Sequence, residues 1–87
     1  MAHALILSDN FAVSRGVSDR LAHYGFDTAD LAWSRKLALR AIARCKPDLV
    51  VVGDSVAEGS ALSLGEELAA PYGIPVLAVT ADRFEFH

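Results

Sequence analysis

The sequence predicts an α/β domain with a mostly parallel sheet, in the order β-α-β-α-β-α-β. Three observations carry this. Short apolar runs at 4–7, 49–52 and 76–79 each lead into polar residues, as strands buried on both faces do. Segments of helical period separate them. Gly and Pro stand at the joints.

The first run leads into Ser8, Asp9 and Asn10. Val13, Val17, Leu21 and Tyr24 then recur at steps of four, four and three, one face of a helix that closes at Gly25, where a positive φ is favoured. Gly16 lies inside it. Residues 26–33, bounded by Gly25 and Ser34, read as a short edge-type strand. Ser34 is the expected N-cap of a second helix reaching Lys46, which buries Ala38, Ala41, Ile42 and Cys45 and shows Arg35, Lys36, Arg40 and Arg44 elsewhere. Pro47 and Asp48 punctuate. The run LVVV delivers Gly53 and Asp54 at the carboxyl end of a central strand. Residues 56–62 read as a loop of small residues, and Ser63 with Glu66 has capping-box spacing before a brief helix to about Ala70. Pro71 and Gly73 end that helix, Pro75 permits a strand start, and the last apolar run stops at Thr80. There is no internal repeat, linker or low-complexity stretch.

Eighty-seven residues make one domain. A content of 53% hydrophobic and 22% charged residues argues for a folded chain. A net charge of −3 repels phosphate backbones, so a nucleic-acid partner gets no support. Cys45 stands alone, which excludes an internal disulfide or a cysteine metal cage and fits a reducing, cytoplasmic setting. Neither a signal peptide nor an apolar run of about 18 residues is found, so no membrane association is expected. His3, His23 and His87 lack ligand spacing and are expected to be solvated or terminal. Cys45 is expected to be a buried small hydrophobe.

In parallel α/β sheets, sites form outside the carboxyl ends of the strands. Asp9, Asp54 and Thr80 all follow apolar strands there. Two neighbouring carboxylates repel, and a hard cation such as Mg2+ relieves that repulsion, which makes Asp9 and Asp54 candidate metal ligands. A carboxylate is also a nucleophile able to accept a phosphoryl group when cations and hydrogen-bond donors neutralise the transferring oxygens. Thr80 is one such donor.

With these residues in place, the chain resembles the CheY-like receiver domain of bacterial two-component response regulators. ALILSDN resembles the family's first strand with its acidic pair, LVVVGD its third strand with the phosphoacceptor aspartate, and VLAVTA its fourth strand with the switch hydroxyl. Residues 14–26 resemble the first helix and its Gly-aromatic turn. The resemblance implies a flavodoxin-like, CheY-like sheet shortened to strand order 2-1-3-4. It implies Asp54 as phosphoacceptor, Asp9 and Asp54 as Mg2+ ligands, Thr80 as switch hydroxyl, and a histidine kinase or phosphotransfer protein as partner. Such a module is not an enzyme in its own right.

The departures are informative. Ser8 stands where the family usually has the first acid of its pair. The loop after Asp54 lacks the usual Met-Pro. The chain stops short of the family's fifth strand, last helix and lysine. Lys36 and Lys46 are expected far from Thr80, leaving Arg83 as a candidate substitute cation. Without the fifth strand, residues 75–80 should be an open apolar edge, a template for joining a second copy. Phe84 and Phe86 would extend that interface or pack over the sheet. Two functions follow: a receiver-like module whose phosphorylation at Asp54 alters its association, or a degenerate receiver that takes no phosphate and serves as an interaction or oligomerisation unit. A nucleotide- or flavin-binding enzyme is disfavoured because neither G-x-G-x-x-G nor a P-loop is present.

Overall fold

In the computed structural model, residues 2–80 and 83–86 are described, with side chains through residue 79. The elements are β1 (Ala2–Leu7), α1 (Phe11–Ala22), β2 (Phe26–Ala32), α2 (Arg35–Arg44), β3 (Leu49–Val52), β4 (Ser55–Val56), β5 (Gly59–Ser60), α3 (Ala61–Ala69), a 3-10 turn (Ala70–Tyr72), β6 (Val76–Thr80) and β7 (Arg83–Phe86). The main sheet has the order β2-β1-β3-β6-β7. Its first four strands are parallel, as the buried apolar runs require.

The expected order 2-1-3-4 holds for the parallel strands, here β2-β1-β3-β6, and what changes is the edge expected to be open, where β7 adds a fifth strand. It pairs antiparallel with β6, from Thr80 opposite Arg83 to Leu77 opposite Phe86. The edge of residues 76–80 is therefore covered by the segment that follows it, and the edge strand on that side of the sheet is β7, with β2 at the other. Phe84 and Phe86 occupy register positions opposite Val79 and Leu77, and their side chains lie outside the described residues.

Alternation along β1 and β3 divides the core in two. Leu5, Leu7, Val50 and Val52 face α2 and α3, joining Ala38, Ala41, Leu64 and Leu68. Ala4, Ile6, Leu49 and Val51 face α1, joining Val17 and Leu21. All four residues of β3 are buried, each contributing about 1.5–3 kcal/mol relative to exposure. Gly65 lets α3 approach closely. A methyl group there would meet Val52 Cγ1 at 2.5 Å.

Several local expectations hold. Ser34 caps α2 by accepting from the Leu37 amide, and Gly25, with φ of 90°, closes the turn that follows α1. Others are corrected. Tyr24 is exposed, because α1 ends at Ala22 and the turn into Gly25 carries the ring off the helical stripe. Cys45 is exposed rather than buried, since α2 ends at Arg44 and Cys45 is already extended ahead of Pro47. Residues 55–60 are a small antiparallel hairpin, β4 with β5, rather than a loop. The cap of α3 is Ser60, which accepts from the Ser63 amide, so Ser63 sits inside the first turn.

Candidate functional site

The pairing registers align the strand ends. β1 and β3 run from Ala4 opposite Leu49 to Leu7 opposite Val52; continued by two residues, this sets Asp9 across from Asp54. β3 and β6 run from Val50 opposite Val76 to Val52 opposite Ala78, which sets Asp54 across from Thr80. Thr80 in turn pairs with Arg83. Asp9, Asp54, Thr80 and Arg83 thus form one backbone row across the carboxyl edge of the parallel strands. The side chains of Thr80 and Arg83 lie outside the described residues, so the switch and counter-ion roles rest on register alone.

Close contact between β1 and β3 continues past the strands. The Gly53 amide donates to Leu7 O at 2.8 Å, and the Asp9 amide donates to Ser55 O at 2.9 Å. Gly53 is needed for this approach: a Cβ there would lie 2.8 Å from Ser8 Oγ and 2.9 Å from Ser8 Cβ. Ser8 is buried, and its hydroxyl accepts from the Asn10 amide at 3.0 Å. Where the resemblance would put an acid, this chain has a neutral side chain turned onto its own backbone.

Asp9 is exposed and is held twice by one residue, through its amide and through Ser55 Oγ, which donates to Asp9 Oδ2 at 2.9 Å. Asp54 is exposed and makes no hydrogen bond or ion pair with the described residues. The following hairpin is fastened to the start of α2. The Ala57 amide donates to Trp33 O at 2.8 Å, and Glu58 Oε1 accepts from the Arg35 amide at 3.0 Å, placing a carboxylate at a helix N-terminus where the dipole favours it. Arg35 also pairs with Glu67 of α3. That hydrogen-bonded pair holds the Glu67 carboxyl below its ordinary value and raises the guanidinium above its own.

The lysines lie where the sequence suggests. Lys36 is in the first turn of α2, and Lys46 precedes β3 with its ammonium 5.5 Å from the Tyr72 ring centre. Among the described residues no group of three or more His, Cys, Asp or Glu could hold a metal ion. Mg2+ is commonly bound through only one or two carboxylates and keeps several waters, so a pair of aspartates does not by its number preclude that ion.

One polar cluster escaped sequence reasoning. His3 is half-buried on β1, with Nδ1 2.6 Å from Thr28 Oγ1 and Nε2 3.0 Å from Asp30 Oδ2; Asp30 Oδ1 accepts from Arg44 at 2.7 Å. The His3 amide donates to Asp48. His3 and Thr28 are register partners on adjacent strands, so the cluster ties β1, β2 and α2 at the end of the sheet opposite Asp54. His3 is not a solvated histidine. The only signal in the sequence was a polar residue beginning an otherwise apolar strand.

Comparison with known proteins defines the class: the fold is that of the CheY-like receiver domains of response regulators. No family model and no curated protein sequence matches the chain. The particular resemblance is to PhyR. The receiver domain of Erythrobacter litoralis PhyR is 31% identical with a TM-score of 0.81, over 92% of this chain and 63% of that one. A CheY-like receiver domain from Methylobacillus flagellatus is 27% identical with a TM-score of 0.73, over 90% of this chain and 68% of that one. PhyR of Bartonella quintana in complex with the anti-sigma factor NepR matches with a TM-score of 0.78 at 18% identity, over 100% of this chain. The chain spans about a third of the length of other PhyR structures, 35% and 32% in two cases. No helix among the described residues is long and apolar enough to cross a membrane.

Proposed function

We propose that the chain is a cytoplasmic two-component receiver-like module in which Asp54 accepts a phosphoryl group and so alters what the domain associates with. The donor is a phosphohistidine on a histidine kinase or phosphotransfer protein. A carboxylate oxygen of Asp54 attacks phosphorus, the P–N bond breaks, and the histidine leaves as imidazole, giving an acyl phosphate. The observation that supports this reading most is the row of Asp9, Asp54, Thr80 and Arg83 in one register. Asp9 and Asp54 would hold Mg2+, which supplies charge neutralisation at the phosphoryl oxygens. Thr80 is the hydroxyl donor to the phosphoryl group, and Arg83 takes the place of the family's lysine as the protein's cation. Association follows at the edge strand β7, to a second copy or to a protein partner; PhyR of Bartonella quintana, similar to this chain in fold, is itself seen in complex with the anti-sigma factor NepR.

The test is intact-mass measurement after incubation with acetyl phosphate and Mg2+, with light scattering in parallel. The wild type gains about 80 Da, the mass of one added HPO3; Asp54→Asn does not, and Arg83→Ala does so more slowly. An adduct retained in Asp54→Asn refutes the assignment. A second reading, an interaction module that takes no phosphate, is favoured by two observations: neutral Ser8 in place of an acid, and the hold of Ser55 on Asp9 Oδ2. Absence of any adduct on folded wild type, with an oligomer present, decides for it.

A further inference from the structure

Between the start of α1 and the end of β2 lies a crevice of about 300 Å3, lined by Ser8, Asp9, Phe11, Ser14, Leu31 and Trp33. Asp54 is not among its walls, and the phosphoryl chemistry proposed above makes no use of the aromatic ones. Phe11 is 63% exposed and Trp33 54%. Two large rings left in water beside one cavity are characteristic of binding surfaces rather than cores.

The third feature is charge. Asp9 places its carboxyl group at the crevice, with Oδ2 bonded to the Ser55 hydroxyl and no basic side chain among the described residues paired with it. An anionic ligand would meet both Asp9 and a chain of net charge −3. A cation is favoured by the carboxylate and by the faces of the two rings. Among cations, guanidinium uses both features best, because it is planar, weakly hydrated, stacks on aromatic rings and forks onto carboxylates.

The shape decides how that cation arrives. The volume lies at the lower end for ligand sites, and an occupant between half-exposed rings stays partly wet, whereas small-ligand sites bury about 70–90% of the ligand. A guanidinium borne on a partner surface brings flanking contacts that a free small molecule lacks. An acidic domain also attracts a basic partner at long range. We infer that the crevice receives an arginine side chain from a basic segment of a protein partner, with its head on Asp9 and its plane against Phe11 and Trp33. This goes beyond the phosphoryl reading and does not depend on it.

Trp33 is the only tryptophan in the chain, so its fluorescence reports on the site directly. The experiment titrates the unphosphorylated protein, in EDTA, with a capped Gly-Gly-Arg-Gly-Gly peptide and with the same peptide carrying citrulline, which has a similar shape but no charge. The arginine peptide gives a saturable change in Trp33 emission, and the citrulline peptide gives none. Asp9→Asn and Phe11→Ala, both at exposed positions and checked for fold by amide NMR, each weaken binding about tenfold or more. Asp19→Asn, the same charge change made on α1 away from the crevice, binds as the wild type does. No saturable response from folded wild type, an equal response to citrulline, or full binding by Asp9→Asn overturns the inference. Because Mg2+ and phosphate are absent, such a failure leaves the phosphoryl reading of Asp54 standing.

Discussion

Gly53→Ala tests whether the site depends on the close approach of β1 to β3. The added Cβ would sit 2.8 Å from Ser8 Oγ and 2.9 Å from Ser8 Cβ. The hydroxyl can rotate away, but Ser8 Cβ is fixed to the backbone, so the end of β1 must retreat by about half an ångström to reach ordinary contact. That movement stretches the 2.8 Å bond from Gly53 to Leu7 O and separates Asp9 from Asp54. Overpacking of this kind costs about 1–3 kcal/mol, and for a domain of this size each kcal/mol lowers Tm by about 4–8 °C. Ser8→Gly removes both clashing atoms, so the double variant recovers most of the loss, less the cost of a second glycine and of the Ser8 bond to Asn10. Urea unfolding of the two single variants and the double variant gives the coupling directly. Additive losses, with no recovery in the double variant, would refute the steric argument; a Gly53→Ala protein as stable as wild type would refute the close approach itself.

Further outcomes follow from the same geometry. Gly65→Ala lowers stability by about 1–3 kcal/mol, because its Cβ meets the stiff, buried Val52, whereas Gly16→Ala, with nothing within 4 Å, raises it by about 0.5–1 kcal/mol; chemical denaturation reads both, and equal signs would contradict the packing of α3. His3→Ala loses its partners Thr28 and Asp30 and costs about 1–2 kcal/mol, seen as a lower Tm, while an unchanged Tm would show that the cluster is decorative. The Glu67 carboxyl is depressed in the folded state by Arg35, so its contribution is fully present above the ordinary glutamate pKa and disappears as pH falls through the folded value. Comparing wild type with Glu67→Gln across acid pH, at low and high salt, checks it: the difference is small, present at neutral pH and lost in acid or salt.

The parts of the fold that were legible in the sequence are those where burial fixes residue type. LVVV could only be a strand covered on both faces, and the steps from Val13 to Leu21 could only be one helical face. The site row was legible for a related reason: strands that start in register end together, so Asp9, Asp54 and Thr80 shared an edge once their strands were found. What escaped reading depends on distant partners. His3 meets residues 25 and 27 positions away, and nothing near it in the chain signals them. Cys45 fits the period of α2, but the helix stops one residue earlier because Pro47 follows two residues on. β7 did carry a signal, the alternation of Arg83, Phe84, Glu85 and Phe86, too short to separate from a tail without seeing the bare edge of β6 beside it.

That pairing also bears on how the chain reaches its native state. In the main sheet, each parallel pair joins segments separated by at least one helix, and β1 and β3 by two helices and a strand, whereas β6 and β7 are neighbours in sequence and pair as a hairpin. Hairpins close in about 1–10 μs, ahead of slow non-local parallel pairing. Val76–Thr80, an apolar and β-branched stretch of the kind that self-stacks when bare, therefore has a chaperone in its own sequence: β7 shields one side while β3 is still arriving on the other.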